Sequence, residues 1–105
     1  MIDFKNLDIS TAQECLQKKE FSSLELTKFF IDRIEKSDLN CFITNTFENA
    51  IEMAKESDRR ISSNEGNGIL EGIPIGMKDL FCTKGIRTTA GSKILENFIP
   101  FYEST

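Results

Sequence analysis

Lys78 and Asp79 lie near the end of the run "GIPIGMKDL", residues 72 to 80, in a chain of 105 residues that contains no histidine. A lysine in this setting has two readings. It is a general base if its ammonium is desolvated: the pKa then falls, and the neutral amine can take a proton from a serine hydroxyl. That is the Ser-Lys form of nucleophilic catalysis, which needs no imidazole. Otherwise it is a surface lysine whose alkyl stem lies along apolar neighbours while the ammonium stays in water. The absence of histidine removes Ser-His-Asp catalysis, Cys-His catalysis and imidazole metal ligation from what this polypeptide does alone. Cys15, Cys41 and Cys82 are odd in number and widely spaced, a pattern of reduced thiols rather than of a disulfide framework or a CxxC metal site. Cys82 stands close to Lys78 and has the chemistry of a nucleophile, but a lone cysteine more often fills a small buried apolar position, and no chemical role is assigned to it. Lys84, Arg87 and Lys93 have the charge to touch phosphate; without interleaved aromatics they read as a solvated surface.

The elements that carry Lys78 follow from the residues around it. "GIPIGMKDL" mixes β-branched residues with Gly72, Pro74 and Gly76, and Pro74 has no amide to give a ladder, so the run reads as a short strand at an edge, ending near Lys78. Alternation along a strand would send Lys78 and Asp79 to opposite faces, which disfavours an ion pair between them. Gly85, Gly91 and the pair Thr88 and Thr89 keep the next stretch in loop form, and "SKILENF", residues 92 to 98, offers a further helical turn or two.

Upstream the pattern is helical. Ser10 or Asp8 can cap a helix running to about Lys19, with Ala12, Cys15 and Leu16 inward. Ser22 followed by Glu25 is a capping box that opens a helix to about Lys36; its Leu24, Leu26, Phe29, Phe30, Ile31 and Ile34 cover more than one stripe, so it is expected to pack on two sides. "CFIT", residues 41 to 44, is a short β-prone run. From Thr46 to about Ile61, apolar residues including Phe47, Ala50, Ile51 and Ala54 recur at helical spacing opposite a charged face. "SSNEGNG", residues 62 to 68, reads as a flexible connector.

Length and composition bound the rest. A chain of this size makes one domain or part of one. Hydrophobic content of 39% and charged content of 29% belong to a globular chain, and no apolar run is long enough to span a bilayer. The N-terminus lacks a basic region followed by an apolar one, so a cytoplasmic location is expected. Residues 1 to 71 carry 14 acidic and 9 basic side chains, and residues 72 to 105 carry 3 and 4; the acidic part argues against a nucleic-acid-binding face there.

The stretch "LEGIPIGMKDLFCTKGIRTTAGSKILENF", residues 70 to 98, resembles the N-terminal signature of the amidase-signature family. Its "GIPIGMKD" core is shared by that family broadly, whereas "TKGIRTTAGSKILENF", the closing "PFYEST" and the upstream "FSSLELTKFFIDRIEKSDLNCFITNTFENAIEMAKESDRR" are nearer to its branch of glutamyl-tRNA(Gln)/aspartyl-tRNA(Asn) amidotransferase A subunits. The resemblance implies an α/β fold, a mixed sheet covered by helices. Of that fold this chain is the mostly helical N-terminal part with one or two short strands: helical from 1 to 62, a connector from 63 to 69, and a lysine-motif strand and loop from 70 to 105.

It also implies a role for one residue. In such amidases the lysine of the "GIPxxxKD" pattern, here Lys78, is the base of a Ser, cis-Ser, Lys triad that hydrolyses a carboxamide. In the amidotransferase, a heterotrimer, the substrate is glutamine, and the ammonia passes to the B subunit. That partner uses ATP and magnesium to amidate mischarged Glu-tRNA or Asp-tRNA, and the C subunit braces the pair. No cofactor or metal site is implied for this chain itself. Both triad serines belong to a Gly/Ser-rich segment that the sequence up to Thr105 does not contain; Ser62, Ser63, Ser92 and Ser104 do not match them. The expectation is therefore one catalytic residue of three, and a piece inactive alone whose apolar side chains, Phe29, Phe30, Phe47, Ile73 and Ile75 among them, want partners. The alternatives are another amidase-signature hydrolase and a non-catalytic interaction module that binds other proteins of the complex.

Overall fold

The computed structural model describes residues 3–105, which form two units, residues 3–39 with 47–74 and residues 40–46 with 75–105. Three helices make up most of the first: α1 (Ile9–Gln17), α2 (Ser23–Lys36) and α3 (Phe47–Ser62). Asp8 rather than Ser10 caps α1, its carboxylate accepting the Thr11 amide at 2.7 Å. Ser22 caps α2 as the sequence indicates, its hydroxyl accepting the Glu25 amide at 3.0 Å. A second acceptor comes from α3: the Asp58 carboxylate takes the amides of Ser23 at 2.7 Å and Leu24 at 3.0 Å. Orphan amides of a helix N-terminus are thereby used to join two helices.

The core of this unit consists of Ala12, Leu16, Phe21, Leu26 and Ile61, with Phe4, Leu7, Cys15, Phe30 and Ile73 packed against it. Phe4 sets its ring edgewise on Phe21 and Phe29, with centroids 5.0 and 5.1 Å away, the geometry that aromatic quadrupoles favour. On α2 only Leu26 of the apolar positions is fully buried; Leu24, Phe29, Phe30, Ile31 and Ile34 are half-buried. Residues 62 to 68 are hydrogen-bonded in place: the Glu65 and Gly66 amides both donate to the Arg60 carbonyl, and the Gln17 side chain donates to the Gly66 carbonyl at 2.7 Å. Gly72, at φ +81°, lets the chain pass close to α1 and α2. A Cβ there would stand 3.2 Å from both Leu16 Cδ1 and Ser23 Cβ, and the Gly72 carbonyl accepts the buried Ser23 hydroxyl at 2.8 Å.

The expected strands do not form. Among the described residues neither "CFIT" nor the stretch ending at Lys78 is a strand, and the one bridge is Thr83 with Ile86. A strand needs a neighbour to accept its ladder; here the Ile73 amide bonds back to Leu70, and the Ile43 carbonyl accepts from Arg87. "SKILENF" yields a single 3-10 turn, Lys93–Leu95, capped by Ser92. No helix among the described residues is long and apolar enough to cross a membrane.

Replacing Asp58 by Ala strands two amides, one of them on the buried Ser23, and is expected to lower stability by about 1–2 kcal/mol. Replacing Glu14 by Ala breaks only the exposed Lys18 ion pair and should leave stability nearly unchanged. Urea unfolding of the two variants checks the contrast; equal effects would mean that Asp58 does not tie α2 to α3.

Candidate functional site

Lys78 opens a tight turn, its carbonyl accepting the Phe81 amide at 3.1 Å, and its side chain is exposed. Asp79, the next residue, is tied to a stretch ten residues on. Its carboxylate accepts the Thr89 amide at 2.8 Å and the Thr89 hydroxyl, and its carbonyl accepts the Ala90 amide at 2.7 Å. The Thr89 hydroxyl in turn accepts the Gly91 amide at 3.2 Å, so one buried threonine both donates and accepts. Ala90 and Gly91 sit at φ 52° and 69°, two successive left-handed residues that turn the chain so that the Thr89 and Ala90 amides both face Asp79. Hydrogen bonds to the ionised form, first from the Thr89 hydroxyl and then from its amide, hold the Asp79 carboxyl below its ordinary value, with Arg87 adding to the effect.

Arg87 is half-buried, where the sequence suggested a solvated cation. Its guanidinium donates to the Thr44 hydroxyl at 3.1 Å, the Ile43 carbonyl at 3.2 Å and the Glu96 carbonyl at 3.1 Å. The planar fork thus holds "CFIT" without a β-ladder. Lys84 and Lys93 are exposed. Gly85 and Thr88 donate their amides to the carbonyls of Pro100 and Phe98, which ties the following segment to this loop.

Cys15, Cys41 and Cys82 form no disulfide with one another. Cys82 contacts the Tyr102 hydroxyl at 3.5 Å, and this contact pushes the tyrosine pKa up. Cys15 packs on the helical core, with its thiol pushed up chiefly by a hydrogen bond to Glu20, the reverse of what an attacking thiolate needs. Ser92 is used as a cap, and Ser104 donates to the Cys82 carbonyl. The sequence singles out Lys78, reads Arg87 as a solvated cation, and does not show that Asp79 and Thr89 share a contact. The available signal was an acidic residue followed by a Thr-Thr-Ala-Gly turn, a pairing whose partners only the folded chain identifies. Several apolar residues of this unit stand exposed, Phe101 at 82% and, just before Lys78 in the chain, Ile75 at 68% and Met77 at 58%.

The Asp79 clamp has a definite pH signature. A carboxyl with a depressed folded-state pKa contributes stability that is present above its unfolded value and is lost as pH falls through the folded one. With the ordinary value at 3.8 and the folded one lower, the bonds to Thr89 should hold at neutral pH and release only as the pH falls below 3.8. The Thr89 amide resonance, followed by NMR from pH 7 to 2, should titrate with the Asp79 carboxyl and become pH-independent in Asp79→Asn; a Thr89 amide that ignores Asp79→Asn would contradict the clamp.

Comparison with known proteins places these residues in a family. The family model described as Amidase matches residues 25–105, which include the Lys78 turn and the whole Asp79 clamp. The chain is 53% identical over its full length to the glutamyl-tRNA(Gln) amidotransferase A subunit of Xanthobacter autotrophicus and 52% identical to that of Hyphomonas neptunium, covering 21% of each. It is 50% identical over 94% of its length to the same protein of Anaplasma phagocytophilum, covering 20% of it. It spans about a fifth of the length of these relatives, and it belongs to the amidase family.

Proposed function

We propose that this chain is the N-terminal part of the glutamine-hydrolysing subunit of a tRNA-dependent amidotransferase, with Lys78 as its general base. The observation that carries the reading is 53% identity over the whole chain to a glutamyl-tRNA(Gln) amidotransferase A subunit, through a stretch that includes the lysine motif "GIPIGMKD". In this reading two serines, contributed by the length of the relatives that this chain does not span, complete the site. The neutral Lys78 amine takes a proton from the cis-serine, which takes one from the nucleophilic serine. That oxygen attacks the carboxamide carbon of glutamine, the carbon-nitrogen bond breaks, and the nitrogen leaves as ammonia after receiving the proton. Water then releases glutamate from the acyl-enzyme.

The ammonia serves a partner, the B subunit, which uses ATP and magnesium to convert Glu-tRNA(Gln) or Asp-tRNA(Asn) to the amidated form. The C subunit holds the two together, all in the cytoplasm. The three helices then belong to the helical cover of an α/β domain whose mixed sheet lies in the remaining length. The exposed side chains of Ile75, Met77 and Phe101 fit that reading, because an apolar surface of this kind is normally covered in a finished domain. Lys78 is exposed here, and in this reading it acts as base only once the remaining length of the domain covers and desolvates it.

In the whole subunit, Lys78→Ala is expected to lower glutamine-dependent ammonia release by on the order of 1000-fold or more, as loss of a triad member does. In the assembled complex, added ammonium should restore tRNA amidation by that variant. Ammonia release that survives Lys78→Ala in a folded subunit would place the base elsewhere.

A further inference from the structure

We propose that Asp79 and Thr89 form a positioning device for Lys78, one that fixes the main chain from which the lysine projects and keeps the neighbouring carboxylate engaged away from the ammonium. This rests on the reading of Lys78 as general base. A lysine reaches its target through a flexible four-carbon stem, so the position of its Cα sets where the amine can be. That Cα lies one peptide unit from Asp79, whose carbonyl and carboxylate are anchored on Ala90 and Thr89, while the Lys78 carbonyl is anchored on Phe81. Consecutive residues are thus held by hydrogen bonds, three of which reach across about ten residues, and the anchor itself, Thr89, is 4% exposed.

The second part of the role is electrostatic. A carboxylate within a few ångströms of an ammonium favours its charged form, and a lysine held charged cannot accept a proton. Asp79 is the carboxylate adjacent to Lys78 in the chain, and it forms no ion pair with it among the described residues. Each Asp79 oxygen is already taken by Thr89, one by the amide and one by the hydroxyl. The other groups facing Asp79 are the Gly91 amide and the Arg87 guanidinium; Glu96 and Glu103 are the remaining carboxylates of this unit. Freed from the Thr89 hydroxyl, one Asp79 oxygen can turn to Lys78 and hold the proton there.

The test uses the whole subunit and its glutaminase kinetics against pH. Thr89→Val, which keeps shape and amide but not the hydroxyl, should lower kcat by about tenfold or more with KM changed by no more than about twofold. It should also move the acidic limb of the kcat profile to higher pH. Thr89→Ser should return both toward the parent. Asp79→Asn should lower kcat without the upward movement of the limb, because the charge is gone, and it serves if Thr89→Val does not fold. Parent-like kcat and pH profile in Thr89→Val, or a loss of activity with the limb unmoved, would overturn the proposal provided that Lys78→Ala is inactive. Activity in Lys78→Ala would instead overturn the assignment of the base, a distinguishable result.

Discussion

A buried amide or carbonyl without a partner costs more than most single contacts return, and this chain meets that constraint with side chains where many proteins use a sheet. At part-buried positions Asp58 takes the Ser23 and Leu24 amides and Asp79 takes the amide of Thr89; at exposed ones Ser22 takes the Glu25 amide and Arg87 donates to the carbonyls of Ile43 and Glu96. The consequences differ between the two units. In the helical unit most backbone groups are paired within the helices and side-chain acceptors are needed only at the ends. In the unit that contains Lys78 there is little regular structure, and polar side chains share the holding of the loop with backbone bonds such as those of Gly85 to Pro100 and Thr88 to Phe98.

This division explains how much could be read in advance. Helix positions depend on signals within four residues, so Asp8, the Ser22–Glu25 box and the apolar repeat of α3 are visible in the sequence, and the inward positions Ala12, Leu16 and Ala54 are buried as their spacing indicates. Strands depend on a partner. "CFIT" and "GIPIGMKDL" have β-forming residues, yet no neighbouring strand among the described residues offers a ladder, and propensity alone does not make one. The Asp79–Thr89 and Arg87–Thr44 bonds join residues 10 and 43 positions apart; no periodicity marks such pairs.

The lysine motif itself stands differently. Its type and flanking glycines leave a base and a surface lysine both open, and only the resemblance to the amidases makes the base the expected one. Family membership now rests on residues 25–105. What the geometry adds is local: the motif's aspartate is not a bystander to its lysine but half of a loop closure, and the Thr-Thr-Ala-Gly stretch downstream is the other half. A signature that reads as two separate runs is, in the folded chain, one hydrogen-bonded object.

The Asp58 cap carries a further implication for the order of assembly. Ser22 is adjacent to the helix it caps and can act as soon as the first turn forms, whereas Asp58 meets Ser23 across 35 residues, and closing a loop of that length costs roughly 3 kcal/mol of chain entropy beyond a constant. The start of α2 therefore has an early, local lock and a late, distant one. Until α3 docks, the Ser23 and Leu24 amides remain in water, and the N-terminal turn of α2 frays and re-forms. Docking of α3 ends that exchange, making the helix start a reporter of tertiary folding rather than of helix formation.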